Sequence, residues 1–191
     1  VDESLKKKVK LVITSLNCSS NDDKVIKAKN YNEVFLDSYN YLCNDYESKK
    51  YFGITGTNGK TTTGAYLKEL LGPESLFIGT NEDELFSGIT NEKHLTSPKL
   101  FNILKLLGKS DFKKYNNIIL EASSHALDQD RFNGLRFKTS GFTNLSQDHF
   151  DYHTNIENYF NSKLKLFSNQ LSDKFVYIDN EWGNKVAQNS S

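Results

Sequence analysis

The sequence predicts an α/β domain, a mostly parallel sheet with helices on both faces, built around a phosphate-binding loop and preceded by a small N-terminal segment. From residue 51 onward, short apolar runs typical of buried strands alternate with segments of helical spacing. The glycine-rich segment Gly53–Thr63 joins the first of these strands to the first helix. We therefore expect ligands beyond the carboxyl ends of the strands, where this loop also lies.

Residues 1–50 contain short apolar runs such as Leu11–Thr14 among polar turn residues, and they carry no motif with a recognisable chemistry. We interpret 1–50 as a short or incomplete N-terminal segment and 51–191 as the α/β domain. Strands are predicted at 51–55, 76–78, 117–122, 137–143 and 174–178.

Three helices are predicted between these strands. The first, Thr62–Leu71, ends at Gly72 and Pro73. The second begins with Ser97 as its N-cap and Pro98 as its first residue, and it ends before Gly108. The third covers 156–167. The buried face of the second helix is expected to comprise Leu100, Phe101, Leu104 and Leu107.

The composition excludes several classes of protein. The 191 residues are 37% hydrophobic, enough for a core, and 24 acidic residues balance 24 basic ones, which argues against a nucleic-acid partner. No run approaches the roughly 18 apolar residues that span a membrane, and no signal peptide is recognisable, so we predict a cytoplasmic protein. Cys18 and Cys43 lack metal-ligand spacing and are expected to be reduced and structural, without a disulfide between them. The absence of methionine suggests a piece of a longer chain.

The segment Gly53–Thr63 has the residue types that bind polyphosphate. Its glycines and the start of the helix free backbone N–H groups for phosphate oxygens, Lys60 adds a positive charge, and the Thr61 hydroxyl can bind Mg²⁺. The spacing is a variant of G-x-x-x-x-G-K-[ST], because residue 54 is Ile and the glycines stand at 53 and 56. The alternative is a plain glycine-rich turn, which the three threonines after Lys60 disfavour.

Other polar residues follow the predicted strands. Glu121 ends the apolar run 118–120, where a magnesium ligand beside a phosphate loop belongs, although a Glu at this place can also enter solvent. The segment Asp148–His153 holds two carboxylates and two imidazoles. Such a set could bind Mg²⁺ or Mn²⁺, or it could be a solvated turn rich in aromatic residues, and the sequence favours neither reading. Arg131 could bind a carboxylate or phosphate, or be merely exposed.

Five segments, taken together, resemble the Mur ligases, most closely the MurE members, which add the third amino acid to UDP-N-acetylmuramoyl-L-alanyl-D-glutamate. The segments are 53–63, 77–80, 96–98, 121–131 and 142–153 running on to Lys163. The resemblance implies a Mur ligase central domain at 51–191, incomplete at its C-terminus, after a UDP-binding-like segment. It also implies the cofactors ATP and Mg²⁺, the UDP-linked dipeptide and a diamino acid as substrates, and a monomeric enzyme.

The resemblance assigns roles to individual residues. ATP would be bound by Gly56, Thr57, Asn58, Gly59, Lys60, Thr61, Thr62 and Asn144. Magnesium would be bound by Thr61, Glu121 and His149, with Asp148 shaping the site. Lys163 matches a lysine that the family carbamylates, and with Lys60, Glu121 and His149 it would form the catalytic set. The substrate would be contacted by Thr96, Ser97, Ser123, Gln129 and Arg131.

The implied reaction has two steps. ATP phosphorylates the terminal carboxylate of the substrate, and the amine of the incoming amino acid then attacks the acyl phosphate. Two alternatives remain: a folylpoly-γ-glutamate synthase, which segment 95–98 also resembles, and a non-catalytic nucleotide-binding fragment. A P-loop kinase or GTPase is disfavoured by the glycine spacing and the lack of an N-K-x-D motif.

The sequence departs from the family in four places. Gln147 stands where an arginine is frequent, and Ala122 where a valine is common. The N-terminal segment is short, which leaves the UDP contacts unassigned, and the chain stops before the C-terminal domain of the family. We expect the 191 residues alone to catalyse little or nothing, and the residues that choose the amino acid to lie beyond Ser191.

Overall fold

The computed structural model describes residues 12–15, 25–28, 48–80, 83–87, 89, 95–132 and 134–190. Strands β1 (Val12–Ser15) and β2 (Val25–Ala28) pair in parallel as a two-stranded sheet. Cys18 and Cys43 lie outside the described residues. The predicted domain boundary after residue 50 stays a prediction.

The main sheet has five parallel strands in the order β4-β5-β3-β6-β7, which confirms the predicted fold class. The strands are β3 (Lys50–Thr55), β4 (Ser75–Ile78), β5 (Asn117–Glu121), β6 (Phe137–Phe142) and β7 (Phe175–Tyr177). Each lies within two residues of its predicted bounds.

Six α-helices connect or follow these strands in the described part of the chain. They are α1 (Lys60–Leu71), α2 (Leu100–Leu107), α3 (Ser124–Asp128), α4 (Phe150–His153), α5 (Ile156–Leu164) and α6 (Glu181–Asn189). Short 3₁₀ turns occupy Asp83–Phe86, Ser110–Phe112 and Lys165–Phe167. No helix among the described residues has the length and apolar character needed to cross a membrane.

Alternating side chains of the central strands divide the core between the two faces of the sheet. On β5, Ile118 and Leu120 join the larger apolar cluster, whereas Ile119 packs with Ile54 and Phe77 in the smaller one. Leu67 and Leu71 of α1 cover the smaller cluster, while the larger cluster includes residues of α2, α3 and α5. Since successive residues of a strand point to opposite faces, helices cover both sides, as predicted.

The start of α2 differs from the prediction. The helix begins at Leu100, and Lys99 occupies the N-cap position without a side-chain bond. Ser97 lies three residues before the helix, and its hydroxyl instead donates to the carbonyl oxygen of Glu121 at 2.6 Å and accepts from the Ser123 amide at 2.8 Å. The predicted buried face was also wrong at one position: Phe101 is 46% exposed, whereas Ile103 and Leu106 are fully buried.

The third predicted helix is shorter than 156–167. Regular α-helix ends at Leu164, and Lys165–Phe167 continue as a 3₁₀ turn. The tighter turn places Leu166 and Phe167 in the core, and both are fully buried. The short helices α3 and α4 and the C-terminal α6 were not predicted.

Candidate functional site

The phosphate-binding loop, defined here as Gly56–Lys60, lies between β3 and α1. Gly56 and Gly59 have φ angles of 147° and 83°, which L side chains rarely adopt. A Cβ atom on Gly56 would also collide with Oγ1 of Thr143. The glycine at 56 is therefore required both by backbone conformation and by the close approach of the residues after β6.

The residues after β6 hold the loop through its main chain. The Thr57 and Asn58 amides donate to the main-chain and side-chain oxygens of Asn144, both at 3.0 Å. The Asn144 amide group and the Thr143 hydroxyl both donate to the Asn58 carbonyl, at 3.0 and 2.7 Å. Asn144, predicted to contact ATP, is thus bonded to the main chain of the loop itself.

Two lysines meet at one carbonyl oxygen of the loop. Lys60 Nζ donates to Gly56 O at 2.9 Å and to Thr57 O at 2.8 Å. Lys163 Nζ, from α5, donates to the same Gly56 oxygen at 2.9 Å. Thr61 is half-buried and Thr62 exposed in the first turn of α1.

Burial changes the acidity of both lysines. Lys163 is 1% exposed, and burial, followed by the charge of Lys60, lowers its pKa to about 7. Burial also lowers the pKa of Lys60, although Glu121 and Asp148 act in the opposite direction. A substantial fraction of Lys163 is consequently a neutral amine at neutral pH.

Tyr159 is a residue that the sequence reasoning missed. Its hydroxyl donates to Thr57 Oγ1 at 3.3 Å, and its ring lies 4.2 Å from Lys163 Nζ. Burial raises the pKa of this phenol. Because Tyr159 and Lys163 are four residues apart, they share one face of α5 and contact consecutive loop residues. The spacing of four residues from Lys163 was the sequence signal that could have identified Tyr159.

Glu121 does not enter solvent, because it is 1% exposed at the end of β5. Its Oε1 accepts from the Thr80 amide at 3.2 Å, and its Oε2 accepts from the Thr80 hydroxyl at 3.1 Å. No lysine, arginine or histidine among the described residues lies within ion-pair distance of this carboxylate. Thr80 was not among the predicted site residues.

Four of the five predicted substrate residues form one hydrogen-bonded group beside Glu121, and the fifth, Thr96, contacts Thr80 instead. Ser97 Oγ accepts from the Ser123 amide at 2.8 Å, and Arg131 Nη1 donates to Ser97 O at 2.9 Å. Arg131 also donates from Nε and Nη2 to Oε1 of Gln129, at 3.0 and 2.7 Å. Thr96 Oγ1 lies 3.3 Å from Thr80 Oγ1.

The histidines form an aromatic cluster between α3 and α4. His149 has φ 52°, its side chain is 47% exposed, and its amide donates to Asp148 at 2.9 Å. His125 packs against His149, Tyr152 and His153, with ring centroids 4.9, 4.2 and 5.5 Å away. Burial lowers the pKa of His125 and His153, which favours their neutral forms.

These histidines are not a preformed metal centre. Within the described ranges, no group of three or more His, Cys, Asp or Glu side chains is arranged to hold a metal ion. His153 is buried, with Nδ1 3.2 Å from Ser162 Oγ, whereas His149 is accessible. Any cation at this site would therefore need further ligands, such as phosphate oxygens.

Comparison with known proteins gives a consistent match. Residues 54–191 match the family described as the Mur ligase middle domain. The UDP-N-acetylmuramoyl-L-alanyl-D-glutamate–2,6-diaminopimelate ligase of Clostridium botulinum is 40% identical over 78% of this chain and 31% of that protein. The ligase of the same name from Clostridium perfringens is 32% identical over 98% of this chain and 40% of that protein.

Solved structures show the same relation. A UDP-N-acetylmuramoyl-L-alanyl-D-glutamate–2,6-diaminopimelate ligase superposes with a TM-score of 0.65 at 25% identity, covering 94% of this chain and 37% of the other. A MurF ligase from Thermotoga maritima in complex with ADP shares the fold, with a TM-score of 0.55 at 14% identity, covering 97% and 41%. The chain spans well under half the length of each of these relatives.

Proposed function

Because the chain belongs to the Mur ligase family, we propose that it carries the nucleotide site of an ATP-dependent ligase acting on UDP-N-acetylmuramoyl-L-alanyl-D-glutamate. The observation that carries this proposal is the meeting of Lys60 and Lys163 at the carbonyl of Gly56, beside a strand that ends in the buried Glu121. The names of the curated relatives make 2,6-diaminopimelate the first amino acid to test. As the sequence predicts, we propose that the enzyme works as a monomer in the cytoplasm.

The loop supplies the groups that an ATP triphosphate needs. The amides of Gly59–Thr62 lie at the start of α1, where backbone N–H groups have no partner within the helix and attract anions. Lys60 already turns its ammonium back over Gly56 and Thr57, so a small change of rotamer would exchange two carbonyl oxygens for phosphate oxygens. We assign Gly56–Thr62 to ATP binding, with Asn144 fixing the shape of the loop.

Glu121 is suited to a cation because no described lysine, arginine or histidine lies within ion-pair distance of its carboxylate. The Thr80 amide and hydroxyl orient both of its oxygens but carry no charge. We assign Mg²⁺ to Glu121 and Thr61, with His149 and Asp148 serving a second ion. When bound, Mg²⁺ would offset the charge that develops on the transferring phosphoryl group.

We propose that Lys163 is carbamylated. A neutral amine adds to CO₂ and releases one proton, leaving an anionic carbamate on Nζ, and the lowered pKa of Lys163 supplies the neutral amine. The product would place a negative charge near the Lys60 ammonium, replacing a repulsive pair by an attractive one.

The predicted substrate residues lie beside Glu121 and Thr80. We assign Thr96, Ser97, Ser123, Gln129 and Arg131 to the dipeptide portion of the substrate. The substrate carboxylate takes the γ-phosphoryl group of ATP, with ADP leaving, and the amine then displaces phosphate and loses a proton. Since carboxylate and triphosphate repel each other, Lys60 has to offset charge as well as orient the phosphates.

The first experiment measures nucleotide binding by the 191-residue chain. We expect Lys60→Ala to weaken ATP binding about tenfold to hundredfold, because a charge-assisted contact to phosphate is lost. Lys68→Ala on the exposed side of α1 is the matched control and should bind as the wild type does. Equal affinity of the Lys60 variant and the wild type in isothermal titration would remove the nucleotide assignment.

The second experiment measures phosphate release from ATP by a full-length parent. We expect release with the muramoyl dipeptide and diaminopimelate or lysine, and none with folate and glutamate; the opposite result would favour the folylpoly-γ-glutamate synthase reading. Lys60→Ala in that parent should lower turnover by orders of magnitude. The 191-residue chain should bind ATP yet ligate little or nothing, and measurable ligation by it would overturn that expectation.

A further inference from the structure

Thr80 holds both oxygens of the buried carboxylate at the end of β5. The parallel register pairs Ile78 with Leu120, so the two residues that follow β4 run alongside Glu121. The Thr80 amide donates to Oε1 at 3.2 Å and its hydroxyl donates to Oε2 at 3.1 Å. A single residue therefore fixes the rotation of the carboxylate plane.

Gly79 makes this close approach possible. A Cβ atom at this position would collide with Oε1 of Glu121 and crowd the ring of Phe77. No other residue type fits between the carboxylate and the aromatic ring without displacing one of them. Gly79 thus leaves the space that the Glu121 carboxylate occupies, and Thr80 supplies its hydrogen bonds; we call these two residues the carboxylate seat.

The chemistry of the carboxylate seat preserves the negative charge. An arginine or lysine partner within ion-pair distance would hold the carboxylate equally well but would neutralise it, and the described part of the chain places none that close. Lys60, whose pKa is lowered by burial and raised by Glu121, interacts with the carboxylate only at longer range. The neutral donors of Thr80 fix the orientation and leave the charge available to a bound cation.

The hydroxyl of Thr80 also contacts a second residue. It donates to Oε2 of Glu121 at 3.1 Å and faces the Thr96 hydroxyl, toward which it is likewise the donor, at the longer distance of 3.3 Å. Because a hydroxyl has one hydrogen, these two acceptors share it. Thr80 therefore stands between Glu121 and Thr96 and contacts both.

We propose that Thr80 is a positioning residue that orients the Glu121 carboxylate for its cation and connects it, through Thr96, to the substrate side of the site. This inference rests on the proposed function, in which Glu121 binds the cation that accompanies the nucleotide. Thr80 is itself exposed, so its replacement is not expected to disturb the core.

The first measurement needs no cation. Amide hydrogen exchange at residue 80 reports the bond to Oε1, and we expect Thr80→Val to speed it about tenfold while exchange within β4 and β5 stays slow. Thr80→Ser retains the hydroxyl and should restore slow exchange. Exchange at residue 80 that is equally fast in the wild type and in Thr80→Val would overturn the positioning role, whether or not the protein binds a cation.

The second measurement compares ATP affinity with Mg²⁺ and with EDTA. We expect Thr80→Val to reduce the gain from Mg²⁺ about tenfold, to leave the affinity in EDTA unchanged, and to have no further effect in a Glu121→Gln background. An equal loss in that background would show that Thr80 does not act through Glu121, and would overturn the inference. If exchange changes while neither variant alters the Mg²⁺ gain, the positioning stands and the metal assignment of Glu121 fails.

Discussion

At the scale of single residues, the candidate site is organised by two lysine amines that donate to one carbonyl oxygen. Gly56 O accepts from both Lys60 and Lys163, each at 2.9 Å. Like charges at this separation repel, and burial removes the water that would otherwise screen them. The lowered pKa of Lys163 follows from its burial first and from the charge of Lys60 second.

The acidity of Lys163 predicts how stability depends on pH. Between its folded pKa of about 7 and its ordinary value of 10.5, the unfolded chain holds a proton that the folded protein releases. The free energy of unfolding should therefore rise with pH through this window, relative to Lys163→Met, and level off on either side. The full difference is a few kcal/mol, since one pKa unit corresponds to about 1.4 kcal/mol.

Urea unfolding from pH 6 to about 11 in CO₂-free buffer measures this difference. Lys174→Met, an exposed lysine on the edge of the sheet, is the control and should follow the wild type in parallel. A constant difference between wild type and Lys163→Met across the range would contradict the lowered pKa.

At the scale of elements, the sequence predicted what local patterns determine. The five strands and α1 follow from apolar runs, and the phosphate loop follows from its glycines and Lys60. The start of α2 was missed because Ser97 bonds to Glu121, a residue 24 positions away, and such long-range partners leave no local pattern. Phe101 was misplaced because the real face of α2 includes Ile103 and Leu106.

Two glycines allow the cost of backbone strain to be separated from the cost of a steric clash. Gly56 and Gly72 both have positive φ, 147° and 85°, but only a side chain at 56 would meet other atoms. Gly72→Ala should cost roughly 1–3 kcal/mol from backbone strain alone. Gly56→Ala should cost about 1–3 kcal/mol more, because Thr143 must move. Equal losses in urea unfolding would mean that the loop relaxes away from Thr143.

At the scale of the whole molecule, the sequence predicted which residues the fold brings together better than it predicted the hydrogen bonds between them. Ser97, Ser123, Gln129 and Arg131 lie in one hydrogen-bonded group beside Glu121, while their role in binding substrate stays a prediction. Tyr159 and Thr80 were not predicted, because each contacts another candidate residue rather than carrying a chemical signature itself. Their roles depend on register and helix phase, which only the three-dimensional structure supplies.

We expect the five-stranded sheet to unfold first at its β7 edge. The centre of β5 is fully buried at Ile118 and Ile119, whereas Val176 and Ile178, at the β7 edge, are 60% and 50% exposed. We expect hydrogen exchange in peptides covering β7 to be at least about a hundredfold faster than in peptides covering β5. Equal protection of the two strands, measured by mass spectrometry, would show that the sheet unfolds as one unit.

The turn that follows α5 ties the chemistry to the core. Leu166 packs beside Gly53 of β3, the strand that leads into the loop, while Lys163, one turn earlier, contacts the loop itself. The position of the Lys163 amine therefore depends on how the turn after α5 packs in the apolar interior. Warming or mild denaturant that loosens this interior should move Lys163 away from the loop before the strands separate. Loss of nucleotide affinity should therefore precede global unfolding.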